Sequence, residues 1–517
     1  MRPTFMGFET AKSAIFANQK SLDIVGNNLT NIETNGYTRQ RVERTSIAPS
    51  SFSTKIASGR VGLAGQGVEA LGVSQLRDAF LDKCFRDEYA TASYHTQAAG
   101  ILNTIQNVLT DGKNITSASG LQGAIEEIYK GLQAYIKEPT LDSGANIVMS
   151  SFKNIAQVLN QLDEKLTTVA AQQVDDLQVT VNRTNEILAQ IAHLNEQIGS
   201  DATVLANPKN EYFRANELLD QRNLLLDELS GYGDIKVTQL SNGVVDVALG
   251  GHEILKGTDY TPLTMYRGEN GRVAVRYQDS GSNVSLGGGS ILASLNFING
   301  KGSNVQNNSD SPVQGIPYCR DRLDTFAGAL AAVVNKSVPE RDPVTNKPKT
   351  DANGSIIYKT LLSAKDINGA TSAQLAVKAS NISISDEWAR SGPGYFIYSK
   401  NENVEDYAQK ISAALMDTAH TFQSYGEKFA GSFSDYLVEF TAKIGSDLKF
   451  HTERQKATGA VADDYLSQRD AISGVSKDEE AADMLRFQKS YEAAARLMTT
   501  LDEVLDVLIN RMGRVGL

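Results

Sequence analysis

The chain has 517 residues, 41% of them hydrophobic, and sets 50 Lys and Arg against 61 Asp and Glu for a net charge of −11. That apolar content excludes a disordered chain, and on a prior of about 150 residues per domain the length suggests roughly three domains. The acidic balance, with no dense basic tract, excludes nucleic-acid binding as the main role, and two distant cysteines, Cys84 and Cys319, in no CxxC arrangement form neither a zinc site nor a disulfide framework.

The first twenty residues carry no secretory signal, because Glu9, Lys12, Asn18 and Lys20 interrupt any apolar core. No apolar run anywhere approaches the ~18 residues of a membrane span, so membrane insertion is not expected. An extracellular role would require an export route that reads no Sec signal. Two heptad series run through this segment: Phe8, Ile15, Leu22 and Leu29, and Ala11, Asn18, Val25 and Ile32. The one polar member, Asn18, either fixes register or points to solvent. Asn35-Gly36 supplies a positive-φ turn that ends the helix before an extended stretch at 37–42.

Between Pro139 and Pro208 a proline-free tract places Phe152, Ile155, Leu159, Leu162, Leu166 and Val169 on one seam. The seam then shifts and resumes as Val174, Leu177, Val181, Leu188, Ile191 and Ile198. A helix over 142–199 would be about 85 Å long, a rod suited to a bundle shaft. Another helix is predicted over 217–229. Its Asp220 and Arg222, two residues apart, do not face each other as an acid–base pair and read as hydrogen-bonding residues between elements. Short β-like runs follow at 235–238, 244–249, 273–277 and 291–298, punctuated by Asn-Gly and Gly-Gly breaks. A helix is predicted over 323–335. Residues 337–400 read as a loop-edged β insertion that points outward without axial contacts, with Trp388 packing its own domain. From Val404 the helical period returns in Tyr407, Ile411 and Leu415, then in Phe429, Phe433, Tyr436, Phe440, Ile444 and Leu448.

The C-terminal segment has the most regular pattern. Met484, Tyr491, Met498, Leu505 and Met512 form one heptad series; Phe487, Ala494, Leu501 and Leu508 form its companion. Ser476 and Glu479 match a capping box, and the acids that follow suit the positive end of the helix dipole. Neither terminal helix can bury such a seam alone. They pair with each other or dock on neighbouring copies, and either arrangement suggests a polymerising subunit.

Catalytic patterns are missing. The five histidines lack an HExxH or Cys/His companion, and no GxSxG elbow, Walker loop or strand-following GxGxxG occurs. Asp351-Ala352-Asn353-Gly354 fails as a calcium loop, with Lys349 at its first position and Thr360 at its twelfth, and reads as a β-turn. No catalytic residue, metal or cofactor is expected.

The segment GFETAKSAIFANQKSLDIVGNNLTNIETNGYTRQ at 7–40 and its C-terminal counterpart at 474–509 resemble the terminal motifs of the flagellar axial family of rod and hook proteins. Gly36-Tyr37-Thr38-Arg39-Gln40, the Phe487-Gln488…Tyr491…Ala493-Ala494-Ala495 run and ELLDQRNLLLDEL at 217–229 favour that family's hook–filament junction members. Asn35 stands where the family more often has Pro, and both suit a turn. The resemblance implies a mainly α fold with inserted β-rich domains: a terminal coiled-coil domain (1–60 with 465–517), a helical bundle (61–215 with 402–464), a mixed helix and β-rich domain (216–336) and a variable β-rich insertion (337–401). It implies an assembly interface of Phe8, Ile15, Leu22, Val25, Asn27, Asn28 and Leu29 with Phe487, Tyr491, Ala494, Met498, Leu501, Leu505, Leu508 and Met512. Implied partners are the hook protein, a second junction protein (hook-associated protein 3), further copies in a ring, a cytoplasmic chaperone and the flagellar type III export apparatus. Two other readings are a hook or distal-rod protein, which should lack the ELLDQRN helix, and a peptidoglycan hydrolase fused to axial helices, which needs a paired acid–base set the sequence does not offer.

Overall fold

The computed structural model describes residues 6–47, 67–110, 120–138, 142–200, 215–304, 311–342, 344–345, 347–366, 369–372, 375–392, 395, 407–507 and 509. Leu508 and Met512 of the predicted interface lie outside them.

One helix organises the molecule. α4 (Asp142–Ser200) follows the predicted rod to within a residue and is about 88 Å long at 1.5 Å per residue. Its first seam, Phe152 to Val169, packs into a core shared with α2 (Ala79–Thr110), α3 (Gly120–Lys137), α7 (Ile316–Asn335), α9 (Tyr407–Met416) and α10 (Phe433–Ser473). Its second seam, from Leu177 onward, enters a separate core with α5 (Asn216–Tyr232) and the β-rich region. The seam shift visible in the sequence is therefore the crossing from one core to the other.

The shaft is completed by α2 and α10, which run antiparallel: Arg469 approaches Asp82 at one level and His451 meets His95 at another. The second core is roofed by an antiparallel sheet in the order β3 (Ile235–Gln239), β4 (Val245–Leu249), β5 (His252–Lys256), β6 (Asp259–Tyr260), with the pair β7 (Leu263–Arg267) and β8 (Val273–Tyr277) beside it. Alternate residues Val245, Val247 and Leu249 face inward, as a half-buried strand requires.

Three expectations change. Residues 291–298 form not a strand but helix α6 (Ser290–Asn299). Its two faces serve the two cores, Ile291 and Ile298 one and Ala293 and Phe297 the other, so its apolar run shows no polar face from which a helical period could be read. Between α9 and α10 the chain forms a hairpin, β12 (Thr421–Ser424) with β13 (Glu427–Ala430), so Phe429 belongs to a strand. The third change concerns the insertion, which does not stand clear of the shaft. Its sheet β10-β9-β11 (Thr371–Ser372, Leu362–Lys365, Ile382–Ile384) lies along α4, where the Asn160 side-chain amide donates to the carbonyls of Ala379 (2.7 Å) and Ile382 (3.2 Å). Trp388, on α8 (Asp386–Ser391), is 0% exposed with its ring 5.8 Å from that of Phe152. The lone tryptophan packs the main core rather than a domain of its own.

Candidate assembly interface

The termini meet. α1 (Met6–Thr30) packs antiparallel on α11 (Lys477–Asp506): Gly7 lies against Leu501 at one end, and Asn28 reaches Glu480 at the other. The predicted C-terminal seam faces α1, with Ala494 buried and Phe487, Met498, Leu501 and Leu505 half-buried, while Tyr491 remains exposed. On α1, Val25 is buried, Phe8, Ile15 and Leu22 are half-buried, and Leu29 is exposed.

A polar lock closes the base of this pair. Asn28, 1% exposed, accepts from the Gln40 backbone N–H (3.0 Å) and the Tyr37 hydroxyl (2.9 Å) and donates to the Gln40 carbonyl (2.9 Å) and Glu480 (3.1 Å). Asn27 donates to the Tyr37 hydroxyl (3.3 Å). Burial, then nearby Asp220, Glu217 and Glu480, pushes the Tyr37 phenol above its ordinary range, so it stays a donor. Glu480, 1% exposed, also takes Arg39 Nε at 2.7 Å, and Glu479 takes Arg39 Nη1 at 2.5 Å. Glu479 is thereby drawn away from the reciprocal half of the predicted capping box; only the Ser476 hydroxyl caps the helix. Gly36, at φ 78°, makes the turn that brings Tyr37, Thr38 and Arg39 to this point.

The strand after the turn, β1 (Gln40–Ser46), pairs antiparallel with β2 (Val68–Gln75) and carries Val42 and Arg44 toward α1. Arg44 donates to Asn18 Oδ1 (3.2 Å), which settles the polar member of the α1 seam: it is buried and paired. No periodicity signalled Arg39, Arg44 or Glu480; the one hint was the quoted Gly-Tyr-Thr-Arg-Gln run.

α5 joins the locked base to the rest. Asp220 accepts from the Thr38 backbone N–H (3.2 Å) and the Gln75 amide (2.8 Å), and burial raises its pKa to about 6. Arg222, on the other side of the helix, donates to Asn195 of α4 (3.1 Å) and to the Gly243 carbonyl (2.6 Å) in the β3–β4 turn. Farther along, Asp227 receives Arg86 of α2 (2.7 Å) and Arg469 of α10 (2.6 Å). The ELLDQRN segment is thus a connector that grips the terminal pair, the shaft and the β region at once.

Pairing with α1 leaves a second apolar stripe on α11. Ala482, Leu485, Ala493, Leu497, Val504 and Val507 recur at spacings that share one helix face, with Arg486, Lys489, Arg496 and Thr500 among them, and all are exposed, Leu485 at 60% and Leu497 at 47%. Among the described residues nothing assembles a metal site, and no helix is long and apolar enough to cross a membrane. Both cysteines are free, and burial pushes the Cys319 thiol up to about 12, which makes it inert.

Residues 8–38 match the family described as flagella basal body rod protein, residues 102–338 the flagellar hook-associated protein FlgK helical domain, and residues 467–512 the C-terminal region of flagellar basal body rod FlgEFG proteins. Flagellar hook-associated protein 1 of Bacillus subtilis is 30% identical over the whole of both chains; that of Escherichia coli is 24% identical, covering 97% of this chain and 98% of the relative. The solved structure of the flagellar hook junction protein FlgK from Burkholderia pseudomallei aligns with 56% of this chain and 47% of its own, at 21% identity and a TM-score of 0.41. With 30% identity from end to end, the chain belongs to the flagellar hook-associated protein 1 family.

Proposed function

We propose that the chain is a structural adaptor at the hook–filament junction, where its terminal helices pack with those of neighbouring subunits. The observation that carries this reading is the half-covered state of α11: one apolar face packs on α1, and Leu485, Leu497, Val504 and Val507 lie open among basic side chains on another face of the same helix. A free-standing protein gains nothing from such a stripe, whereas a lattice buries it on assembly. The partners of this reading are the hook protein on one side, hook-associated protein 3 on the other, and copies of the chain in a ring. Delivery by a cytoplasmic chaperone and the flagellar type III apparatus belongs to the same reading, and the role needs no catalytic group. The terminal pair forms the axial domain, and the two cores around α4 form the parts outside it.

Deleting the gene and viewing the flagella by electron microscopy tests the adaptor role. Bare hooks, with filament protein shed into the medium, are the expected phenotype. Missing hooks would instead identify a rod or hook protein.

A further inference from the structure

An open groove between α1, β1 and α11 is lined by Arg39, Arg41, Arg44, Arg486, Phe487 and Ser490, among others. Three of its four guanidinium groups have carboxylate partners: Arg39 has Glu480 (2.7 Å), Arg41 has Glu43 (2.7 Å) and Arg486 has Asp483 (3.1 Å). Arg44 has none among the described residues. Among the described residues it donates to neutral oxygens, those of Asn18, Ala17 and Ser21. Its charged neighbour is another cation, since Arg44 and Arg486 stand over the Phe487 ring at 4.6 and 4.8 Å. Burial first, and Arg486 second, hold the Arg44 guanidinium below its usual range. A half-buried cation beside a like charge is unfavourable until an anion joins it.

The same chain carries exposed carboxylates. Asp463, Asp464 and Asp470 on α10 form no ion pair among the described residues, although Asp470 lies close enough to Arg469 to raise the arginine's pKa. Asp463 and Asp470, seven residues apart, share one helix face. A cationic groove on one surface and an anionic helix face on another are the two unlike patches that a head-to-tail contact between identical subunits requires.

We propose that the groove is a docking site for a second copy of this chain, in which Arg44 and Arg486 receive a carboxylate from the 463–470 stretch of the neighbour's α10. The proposal rests on the polymerising role above and names one contact within it. Leu485, beside Arg486, lies on the open face of α11, so the charged contact and the apolar one lie along the same helix. The stripe supplies burial, and the Arg–carboxylate contact fixes which way the neighbour is turned.

A photo-cross-linking residue in place of the exposed Ser490, in chain supplied to the deletion strain, tests this on isolated flagella. The expected product is a homodimer whose bridged peptide contains residues 463–470. Arg486→Gln, an exposed change, should lower its yield several-fold and leave the monomer's melting temperature unchanged. Raised salt during assembly should lower the yield as well. A bridge to another protein, a bridge to a different segment, or no bridge in flagella that contain the chain would overturn the docking site. Absence of the chain from the flagella would overturn the junction reading instead.

Discussion

The spine α4 and the terminal helix α11 are both long and amphipathic, yet the chain treats them differently. On α4, Phe152, Ile155, Leu159, Leu177 and Leu188 are all fully buried by the protein's own elements. Among the thirty residues of α11 only Glu480 and Ala494 are buried. Hydrophobic periodicity is clear in both, so periodicity alone does not say whether a helix finds its partners within the chain. The difference lies in how many elements surround each. α4 has helices and strands on several sides, whereas α11 has α1 along one face and β1 at its base. One helix is complete in the folded monomer, and on the adaptor role proposed above the other is completed by assembly.

The largest effect on the monomer should come from the insertion that docks on α4. Trp388→Ala removes a fully buried indole packed at a tilt against Phe152, and such truncations cost about 3–5 kcal/mol. Replacing 337–400 by a short Gly/Ser bridge should go further, because Leu361, Leu362, Ala379 and Ile382 leave the core as well. Thermal melting of each variant checks this. An unchanged melting temperature for the deletion would mean that the insertion is an appendage and the main core is closed without it.

A smaller loss is expected at the terminal lock. Glu480→Ala leaves Asn28 and Arg39 without their buried acceptor, a penalty of about 2 kcal/mol for a charge-assisted contact of this kind. The change should be local. Hydrogen exchange should rise in α1 and in the first turns of α11 and stay low in α4, since Arg39 keeps Glu479 and the two cores are untouched. Equal rises in α4 would show that the terminal pair and the spine unfold as one unit.

Acid sensitivity should be smaller still and belong to the shaft. His95 Nδ1 and His451 Nδ1 lie 2.9 Å apart between α2 and α10, flanked by Tyr94 and Phe450. Burial, then the neighbouring His95, lowers the His451 pKa to about 4. A lowered folded pKa means that the unfolded chain takes up the proton first. Stability from this pair is thus fully present above about pH 6.5 and falls as pH drops toward 4. Asp220 acts in the opposite sense: its raised pKa favours the folded state most at low pH, and that gain is lost as pH rises through about 6. Between pH 7 and 4.5, His451→Leu should lose less melting temperature than the parent chain. An identical loss in both would place the acid sensitivity elsewhere.

Much of this architecture was legible in the residues. The rod over 142–199, its shifted seam and both terminal heptads follow from apolar spacing, which records one-sided burial directly. What stayed hidden lacks a period. The run at 291–298 is apolar on two faces because it divides two cores, so helix and strand could not be told apart. The docking of 337–400 depends on single residues, Trp388 and Ile382, meeting a helix some two hundred residues earlier. The lock at Asn28, Arg39 and Glu480 joins positions up to 452 residues apart, and no local pattern can announce such a pairing.

The last prediction separates the two faces of α11, and there the monomer should barely respond. Leu497 is 47% exposed on the open stripe, whereas Leu501 packs against Gly7 of α1. Leu497→Asp places a carboxylate in water in the monomer, so its stability should stay within about 0.5 kcal/mol of the parent's. In a lattice that buries the stripe, the same carboxylate loses its water and finds no partner, and each subunit repeats the penalty. Leu501→Asp should instead loosen the α1–α11 pair before any assembly begins. The two variants should thus fail in different places: Leu497→Asp folded and stable yet absent from flagella, Leu501→Asp already exchanging fast along α1 as a monomer. Normal filament attachment by Leu497→Asp would mean that neighbours approach some other face of the helix. Poor melting of the same variant would mean that the stripe is covered within the chain. Either result would remove the distinction between a spine finished by folding and a terminal helix finished by assembly.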